Sequence, residues 1–111
     1  MSVPKMFDLT GRVAIVTGGG RGIGRKMAEG LAEAGAHIVL CSRKVEKCRD
    51  TAGEISRMGV KTLALGCDVK SAKEIQAVVD ETIRVFGRLD ILINNSGANW
   101  GAPPEEYPLE G

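Results

Sequence analysis

The sequence predicts an α/β fold, a doubly wound parallel sheet of four strands in the order 3-2-1-4. Three observations support this fold class. Short apolar runs alternate with segments whose apolar residues recur at helical spacing, glycines stand at the ends of those segments, and a glycine-rich stretch follows the first apolar run. The resulting βαβαβαβ order, with short connections and right-handed crossovers, indicates a parallel sheet with helices on both faces.

Composition indicates an ordinary soluble globular chain and disfavours several function classes. The net charge is +1, with 43% hydrophobic and 26% charged residues. No strong attraction to nucleic acid or to an anionic membrane is therefore encoded. The sequence contains no long apolar stretch that resembles a secretory signal or a membrane span. We expect one domain over residues 1–111 in the cytoplasm, with neither nucleic acid nor membrane as a partner.

The three cysteines do not form a recognisable ligand or disulfide pattern. Cys41, Cys48 and Cys67 are odd in number and lack C-x-x-C spacing, so neither a disulfide framework nor a zinc site is expected. We predict small, partly buried thiols in a reducing compartment and no metal site.

The first strand and helix are predicted from apolar spacing. Arg12 to Thr17 is a short run rich in β-branched residues, typical of a strand that is buried on both faces. Helical spacing begins at Ile23, and Gly35 is placed to end the helix in a left-handed conformation. The predicted apolar positions of this helix are Ile23, Met27, Ala28, Leu31 and Ala32.

The second strand, helix and third strand follow the same reasoning. His37 to Cys41 is a second buried strand, and Lys61 to Gly66 is a third. Between them, apolar residues recur at helical spacing until Gly59, which is predicted to stop the helix. His37 has no evident Asp, Ser or Cys partner, so a structural role is favoured over a catalytic one. The apolar positions of this helix are Val45, Cys48, Ala52 and Ile55.

The third helix has sequence signals at both ends. Ser71 and Glu74 form a capping box at its start, and Gly87 closes it. Asp90 to Asn94 then makes the fourth strand. The predicted inner face of the helix consists of Ile75, Val78, Val79, Ile83 and Phe86.

The stretch TGGGRGIG, from Thr17 to Gly24, lies between the first strand and the first helix. A doubly wound sheet binds nucleotides at this point, where free backbone N–H groups and the helix dipole favour a pyrophosphate. A G-x-G-x-x-G fingerprint does not fit these residues. A P-loop is disfavoured because Arg25 and Lys26 follow the last glycine in place of Lys-Ser/Thr. A glycine-rich turn with no ligand is the other interpretation.

Three motifs in order resemble the short-chain dehydrogenase/reductase family over the whole chain. The stretch from Thr17 to Gly24 matches that family's TGxxxGIG cofactor motif, and residues 94–97 (NNSG) match its NNAG motif with Ser96 in place of Ala. Asp68 and Val69, after the third strand, match the family's adenine-contacting position. The resemblance implies a Rossmann-type domain that binds a nicotinamide cofactor, an oxidoreductase activity, a small-molecule carbonyl or alcohol substrate, and a homo-oligomeric parent protein.

The resemblance also implies which residues hold the cofactor. The glycine loop would line its phosphates and adjoining ribose, Asp68 and Val69 its adenine, and Asn95 and Gly97 its nicotinamide ribose. Asn94 has a competing structural interpretation, because the first Asn of the motif often ties neighbouring strands together. With the second-strand turn considered next, the candidate cofactor-binding residues are Gly18, Gly20, Arg21, Gly22, Ile23, Ser42, Arg43, Asp68, Val69, Asn95 and Gly97.

Ser42 and Arg43 favour NADP(H) over NAD(H). An NAD site places an acid about 20 residues after the glycines, at the end of the second strand, to bind the ribose 2′-hydroxyl. This chain has Ser42 and Arg43 there, and a guanidinium suits a 2′-phosphate. Arg21 would add a second positive charge.

No catalytic residue is predicted within these 111 residues. The family's acid/base pattern is Tyr-x-x-x-Lys, whereas Tyr107 is followed four residues later by Gly111 and lies beside Pro108, a poor helical position. Tyr107 and Trp100 would contact substrate or simply pack in the last loop. The resemblance implies the cofactor-binding half of a longer NADP(H)-dependent oxidoreductase that transfers hydride to or from a ketone or secondary alcohol. A 3-oxoacyl thioester and a polyol are the candidate substrates, and these 111 residues are expected to be inactive alone. The alternatives are a non-catalytic dinucleotide-binding module and an inert, partly folded chain.

Overall fold

A computed structural model describes residues 8–18 and 22–95 of the chain. They form a parallel sheet with three helices, and the element order is the predicted one. The strands are β1 (Val13–Thr17), β2 (His37–Ser42), β3 (Thr62–Gly66) and β4 (Ile91–Asn94), and the helices are α1 (Gly22–Glu33), α2 (Val45–Ser56) and α3 (Ala72–Phe86).

The sheet has the strand order β3-β2-β1-β4, with all neighbours parallel. This confirms the predicted fold class and strand order. Alternate residues of each strand enter two separate cores, because successive side chains point to opposite faces. Ala14 and Val16 of β1 pack with α1 and α2, whereas Val13 and Ile15 pack with α3. Both faces of β1 are therefore buried along its whole length.

The first helix packs on the sheet through small residues and not through its larger apolar ones. Ala28 and Ala32 are buried, but Ile23 is 67% exposed and Met27 is 40% exposed. Alanines let the helix backbone approach the strands closely. The side chains of Ile23 and Met27 therefore lie at the side of the helix, away from the sheet. The predicted apolar face of α1 is thus correct for its alanines and wrong for Ile23 and Met27.

The third helix differs from prediction at two positions. Ile75 and Val78 are buried as expected, but Thr82 is fully buried while Ile83 is 47% exposed. The Thr82 hydroxyl donates to the Val78 carbonyl oxygen at 2.8 Å, so the side chain carries no unsatisfied donor into the core. Residues 75, 78 and 82 follow a 3.6-residue period more closely than 75, 79 and 83.

Two predicted helix stops have clear physical causes. Gly87 adopts φ 82° as a left-handed cap, and its N–H donates to the Ile83 carbonyl at 2.8 Å. Gly35 has φ 106°, and a Cβ there would lie 2.7 Å from Thr10 Oγ1. Glycine at position 35 is therefore required both by conformation and by close approach.

An ion-pair cluster fixes the amino-terminal edge of the sheet. The Asp90 carboxylate accepts a hydrogen bond from the Val13 N–H at 2.9 Å and two from the Arg88 guanidinium at 2.9 and 2.8 Å. Arg12 lies 3.4 Å away. Hydrogen bonds from Arg88 and from Val13 lower the pKa of Asp90 from 3.8 to about 2. One carboxylate thus joins the starts of β1 and β4.

The described helices include none that is both long and apolar enough to cross a membrane.

Candidate functional site

The carboxyl ends of the four strands bring the predicted site residues to one edge of the sheet. From one side to the other, this edge presents Asp68, Ser42, Gly18 and Asn95. Three hydrogen bonds continue the sheet beyond the strands: Cys67 N–H to Ser42 O at 2.9 Å, Gly18 N–H to Cys41 O at 2.8 Å, and Asn95 N–H to Thr17 Oγ1 at 2.9 Å. The four turns therefore form a single connected frame.

The glycine loop leads directly into α1, which begins at Gly22. Gly18 and Gly22 both have φ 65°, a left-handed conformation that favours glycine. Among the described residues, and leaving aside its chain neighbours and its own helix backbone, a Cβ added at Gly22 would meet no atom within 4 Å. The described residues thus leave open space beside this backbone. Gly20 and Arg21 lie outside the described residues.

The start of α1 is suited to an anion. No acidic residue occupies its first turn, whereas α2 has Glu46 and α3 has Glu74 at that place. The positive end of the α1 dipole and its free N–H groups are therefore not neutralised by a carboxylate in that turn. The exposed Ile23 side chain stands beside them and offers an apolar contact at the mouth of the site.

Thr17 connects β1 to the turn after β4. Its buried hydroxyl accepts from the Asn95 N–H at 2.9 Å and lies 3.0 Å from Asn94 Oδ1 and 3.3 Å from the Ile93 carbonyl oxygen. A hydroxyl has one proton, so it donates to one of these two oxygens or divides its proton between them. Asn94 therefore has the strand-tying role proposed from the sequence, and Asn95 is held through its backbone.

The role of Thr17 was missed at the sequence level, where it only opened the glycine motif. Its residue type and position in the sequence could have indicated this role. Thr17 ends a strand that is predicted to be buried on both faces, and a buried hydroxyl needs a hydrogen-bond partner. The partner itself depends on the β1–β4 pairing, which places Thr17 opposite Asn94.

The turn after β2 presents positive charge and no acid. Ser42 Oγ donates to the Lys44 carbonyl oxygen at 3.1 Å and lies 3.3 Å from Cys48 Sγ, so this hydroxyl braces the turn. Arg43 and Lys44 are exposed. Within residues 8–18 and 22–95, neither side chain forms an ion pair. Both cations are therefore available to a ligand phosphate, as far as the described contacts go.

The turn after β3 holds Asp68 through several hydrogen bonds. Its N–H donates to Glu74 Oε1 at 2.7 Å, its Oδ1 accepts from the Lys70 N–H at 3.0 Å, and its carbonyl oxygen accepts from the Ser71 N–H at 2.9 Å. Val69 is half-buried against the core on the α3 side. This turn therefore has a fixed conformation at the edge of the site.

The capping box at α3 is only half of the predicted one. Ser71 Oγ accepts from the Glu74 N–H at 3.2 Å, as expected. The Glu74 carboxylate, however, reaches the Asp68 N–H and not the Ser71 N–H, which already donates to the Asp68 carbonyl oxygen. The capping-box pattern predicts only the start of the helix, so it does not indicate this contact of Glu74 with Asp68.

The cysteines are buried and unsuited to nucleophilic chemistry. All three are free and buried, more deeply than the sequence suggested. Burial raises the pKa of each thiol, which suppresses the reactive thiolate. In the part of the chain that the structure describes, no group of three or more His, Cys, Asp or Glu residues could hold a metal ion.

His37 lies away from the site, at the opposite end of β2 from Ser42. Its Nδ1 accepts from the Lys61 N–H at 3.0 Å, and its ring stacks on Phe86 with centroids 5.8 Å apart. These contacts agree with the structural role predicted for it. Gly97, Trp100 and Tyr107 fall outside the described residues.

Comparisons with known proteins agree with this arrangement. The family model described as short chain dehydrogenase matches residues 12–110. The rhamnolipids biosynthesis 3-oxoacyl-(acyl-carrier-protein) reductase of Pseudomonas aeruginosa is 45% identical over 105 residues, which cover 95% of this chain and 41% of the relative. L-fucose dehydrogenase of Bos taurus is 43% identical over 100 residues, covering 90% of this chain and 34% of that protein.

Solved structures show the same relationship. The RhlG/NADP active-site complex of Pseudomonas aeruginosa matches with a TM-score of 0.77 and 41% identity, over 86% of this chain and 38% of that one. Hydroxysteroid dehydrogenase of Escherichia coli matches with a TM-score of 0.79 and 35% identity, over 96% and 45%. The chain thus spans about two fifths of the length of such relatives. With the family model matched over nearly all of its residues, the chain belongs to the short-chain dehydrogenase family.

Proposed function

We propose that this chain forms the NADP(H)-binding half of an oxidoreductase that transfers hydride between the cofactor and a ketone or secondary alcohol. The proposal rests on the residues that stand in the turns at the carboxyl ends of the strands. Gly22, at the start of α1, faces space that the described residues leave open, and Arg43 stands where an NAD site would have an acid. One similar structure, that of RhlG of Pseudomonas aeruginosa, is an active-site complex with NADP.

The residues present fit a dinucleotide. The open space at Gly22 and the acid-free first turn of α1 suit the pyrophosphate, whose oxygens would accept from backbone N–H groups. Asp68 and Val69 would flank the adenine, and Asn95 would lie toward the nicotinamide ribose. Gly20, Arg21 and Gly97 remain predicted members of the same site. When bound, the cofactor supplies or accepts the hydride at nicotinamide C4.

The turn after β2 would choose between the two cofactors. Arg43 would form charge-assisted hydrogen bonds with the 2′-phosphate, and Lys44 would add a second positive charge nearby. Ser42 would contribute mainly by holding the turn, because its single hydroxyl proton already has the Lys44 carbonyl oxygen as an acceptor. Donation from Ser42 to the phosphate would require that internal bond to be given up.

We further propose that the substrate is a small molecule of the 3-oxoacyl thioester or polyol class. The support is that one similar protein is a rhamnolipids biosynthesis 3-oxoacyl-(acyl-carrier-protein) reductase and another is an L-fucose dehydrogenase. The acid/base residues of the reaction are not assigned to any side chain of these 111 residues.

Calorimetric titration of the full-length protein with NADPH and with NADH tests the proposal. A charge-assisted contact to a phosphate contributes about 1.5–3 kcal/mol, so NADPH is expected to bind at least about tenfold more tightly. Equal affinity or a preference for NADH would show that the assignment of Arg43 is wrong. Turnover of NADPH with 3-oxoacyl thioesters or with simple ketones then tests the substrate class.

A further inference from the structure

We propose that Glu74 is a positioning residue of the adenine subsite: it holds Asp68 so that one carboxylate oxygen faces the exocyclic amine of the base. This inference rests on the proposed function and adds a residue that lies outside every cofactor motif of the sequence. Its basis is the 2.7 Å hydrogen bond from the Asp68 N–H to Glu74 Oε1.

The hydrogen bonds of Asp68 leave one polar atom for a ligand. The N–H is bound by Glu74, the carbonyl oxygen by the Ser71 N–H at 2.9 Å, and Oδ1 by the Lys70 N–H at 3.0 Å. Across the described ranges, Oδ2 is the one polar atom of Asp68 with no hydrogen bond. An ionised carboxylate accepts at both oxygens and donates at neither. Oδ2 is therefore suited to an amine donor such as the adenine N6 group.

Glu74 is the member of this network that reaches Asp68 from a different element. Lys70 and Ser71 belong to the same turn as Asp68, so their bonds move with the turn. Glu74 lies in the first turn of α3, and its own N–H is fixed by Ser71 Oγ at 3.2 Å. The carboxylate thus ties the Asp68 backbone to a helix of 15 residues, and a site held by a rigid element is more precise than one held by a loop alone.

The residue before Asp68 is tied to the end of β2. The Cys67 N–H donates to the Ser42 carbonyl oxygen at 2.9 Å, immediately before Asp68. Asp68 is therefore fixed on one side by β2 and on the other by α3. Loss of the Glu74 bond releases the second side only, so the sheet and the Ser42–Arg43 turn keep their geometry.

The test uses a pair of ligands that differ only in the group at C6 of the base. NADPH carries the adenine amine there, whereas the purine analogue of NADPH carries hydrogen and gives Asp68 no donor at that position, while N1 stays an acceptor in both. The wild-type protein should prefer NADPH by about tenfold, as expected for a hydrogen bond to a charged acceptor. Glu74→Ala should reduce this preference to about two- to threefold, and Asp68→Ala should abolish it.

Two further variants separate positioning from general stability. Glu74→Gln keeps an oxygen that can accept from the Asp68 N–H, so it should retain most of the preference. Gln76→Ala removes another polar side chain of α3, whose described contact is with Asp80, and should leave the ratio unchanged. A merely structural role for Glu74 would weaken binding of both nucleotides alike and leave their ratio at the wild-type value.

The possible failures are distinguishable. If the wild-type protein binds neither nucleotide, the proposed function fails and this inference fails with it. If it binds NADPH but Glu74→Ala keeps the wild-type ratio, the proposed function stands and the role of Glu74 is wrong. A loss of preference in Glu74→Gln equal to that in Glu74→Ala would also overturn the inference, because it would assign the effect to charge and not to the hydrogen bond.

Discussion

Thr17→Val should weaken both the fold and the nicotinamide end of the site. Valine has nearly the same shape as threonine, so the buried space stays filled, but the hydroxyl is lost. The Asn95 N–H then loses its acceptor at 2.9 Å, and Asn94 Oδ1 loses a contact at 3.0 Å. Asn95 is half-buried, and leaving a buried donor unsatisfied costs about 1–3 kcal/mol. Because Asn94 is exposed and water can replace its contact, we expect a loss of about 2 kcal/mol in the free energy of unfolding.

The effect on binding follows from the same bond. Asn95 is placed by its backbone N–H, and a turn released from β1 must be reordered when the cofactor binds. If the lost anchoring of about 1 kcal/mol appears in binding, the affinity for NADPH falls about fivefold. Urea unfolding measures the stability term, and calorimetric titration measures the affinity.

Thr82→Val is the matched control for this prediction. Thr82 is also fully buried, but its hydroxyl donates to the Val78 carbonyl oxygen of its own helix. Its removal leaves no N–H unsatisfied, so the expected loss of stability is below about 1 kcal/mol, with no change in affinity. Thr17→Ser, which keeps the hydroxyl, should stay close to the wild type in affinity. Equal stability losses in Thr17→Val and Thr82→Val would refute the reasoning.

Three further predictions concern the cofactor turns and the ion-pair cluster. Arg43→Asp should weaken NADPH binding by at least about tenfold and relatively favour NADH, while Arg57→Asp, the same charge change at the far end of α2, should alter neither affinity in titration. Gly22→Val should abolish dinucleotide binding at a stability cost of about 1–2 kcal/mol, because a Cβ there meets no atom of the described residues within 4 Å and would enter the space proposed for the pyrophosphate. Gly11→Val, with φ 83° and equally open space among the described residues, should cost similar stability and leave titrations with NADPH unchanged. The lowered pKa of Asp90 contributes stability that is fully present above pH 3.8 and is lost as the pH falls toward about 2. Because Arg88 and Arg12 are about half exposed, solvent screening limits this contribution to about 1 kcal/mol. Urea unfolding of the wild type and of Asp90→Asn between pH 2 and 6 should therefore give free energies of unfolding that converge at the acid end, and a difference that stays constant with pH would contradict this prediction.

The elements that were predictable from sequence are those whose signals are local. Ser71 and Gly87 mark the ends of α3 through contacts made within one helical turn, and both were confirmed. The buried strands were predictable for the same reason, since burial on both faces leaves a continuous apolar run in the sequence. The strand order 3-2-1-4 was predicted with the Rossmann-type doubly wound fold, in which the strand order reverses beside the glycine-rich turn.

The errors arise where burial depends on packing partners. Thr82 is more polar than Ile83, yet it is the buried residue of the two because its hydroxyl is satisfied within the helix. At Ile23 and Met27, the helical period was right but the direction of the face was not. Alanines one position further along let α1 lie closer to the sheet, and periodicity alone does not weigh close approach against side-chain volume.

In the candidate site, the glycine motif pointed to the location but not to the contacts that hold it. The bonds from Thr17 span 76 to 78 residues of sequence, so they are visible only once β1 is paired with β4. Glu74 lies only six residues from Asp68. Even so, its carboxylate had an equally plausible partner in the Ser71 N–H, and the sequence offered no means of choosing between the two.

Thr17 and Asp68 are held by hydrogen bonds, whereas Arg43 is exposed, so substitutions at these positions should have different effects. Thr17 joins the ends of β1 and β4 through its hydroxyl, so substitutions there alter the geometry of two strand ends, whereas Asp68 is held by bonds within the turn that leads into α3. Arg43 is exposed and forms no ion pair within residues 8–18 and 22–95. On the proposed function, its replacement would change the charge at the ribose without disturbing the sheet. Cofactor preference would then be the property of this site that a single substitution alters most independently of stability, whereas affinity for the shared parts of the dinucleotide would depend on the frame as a whole.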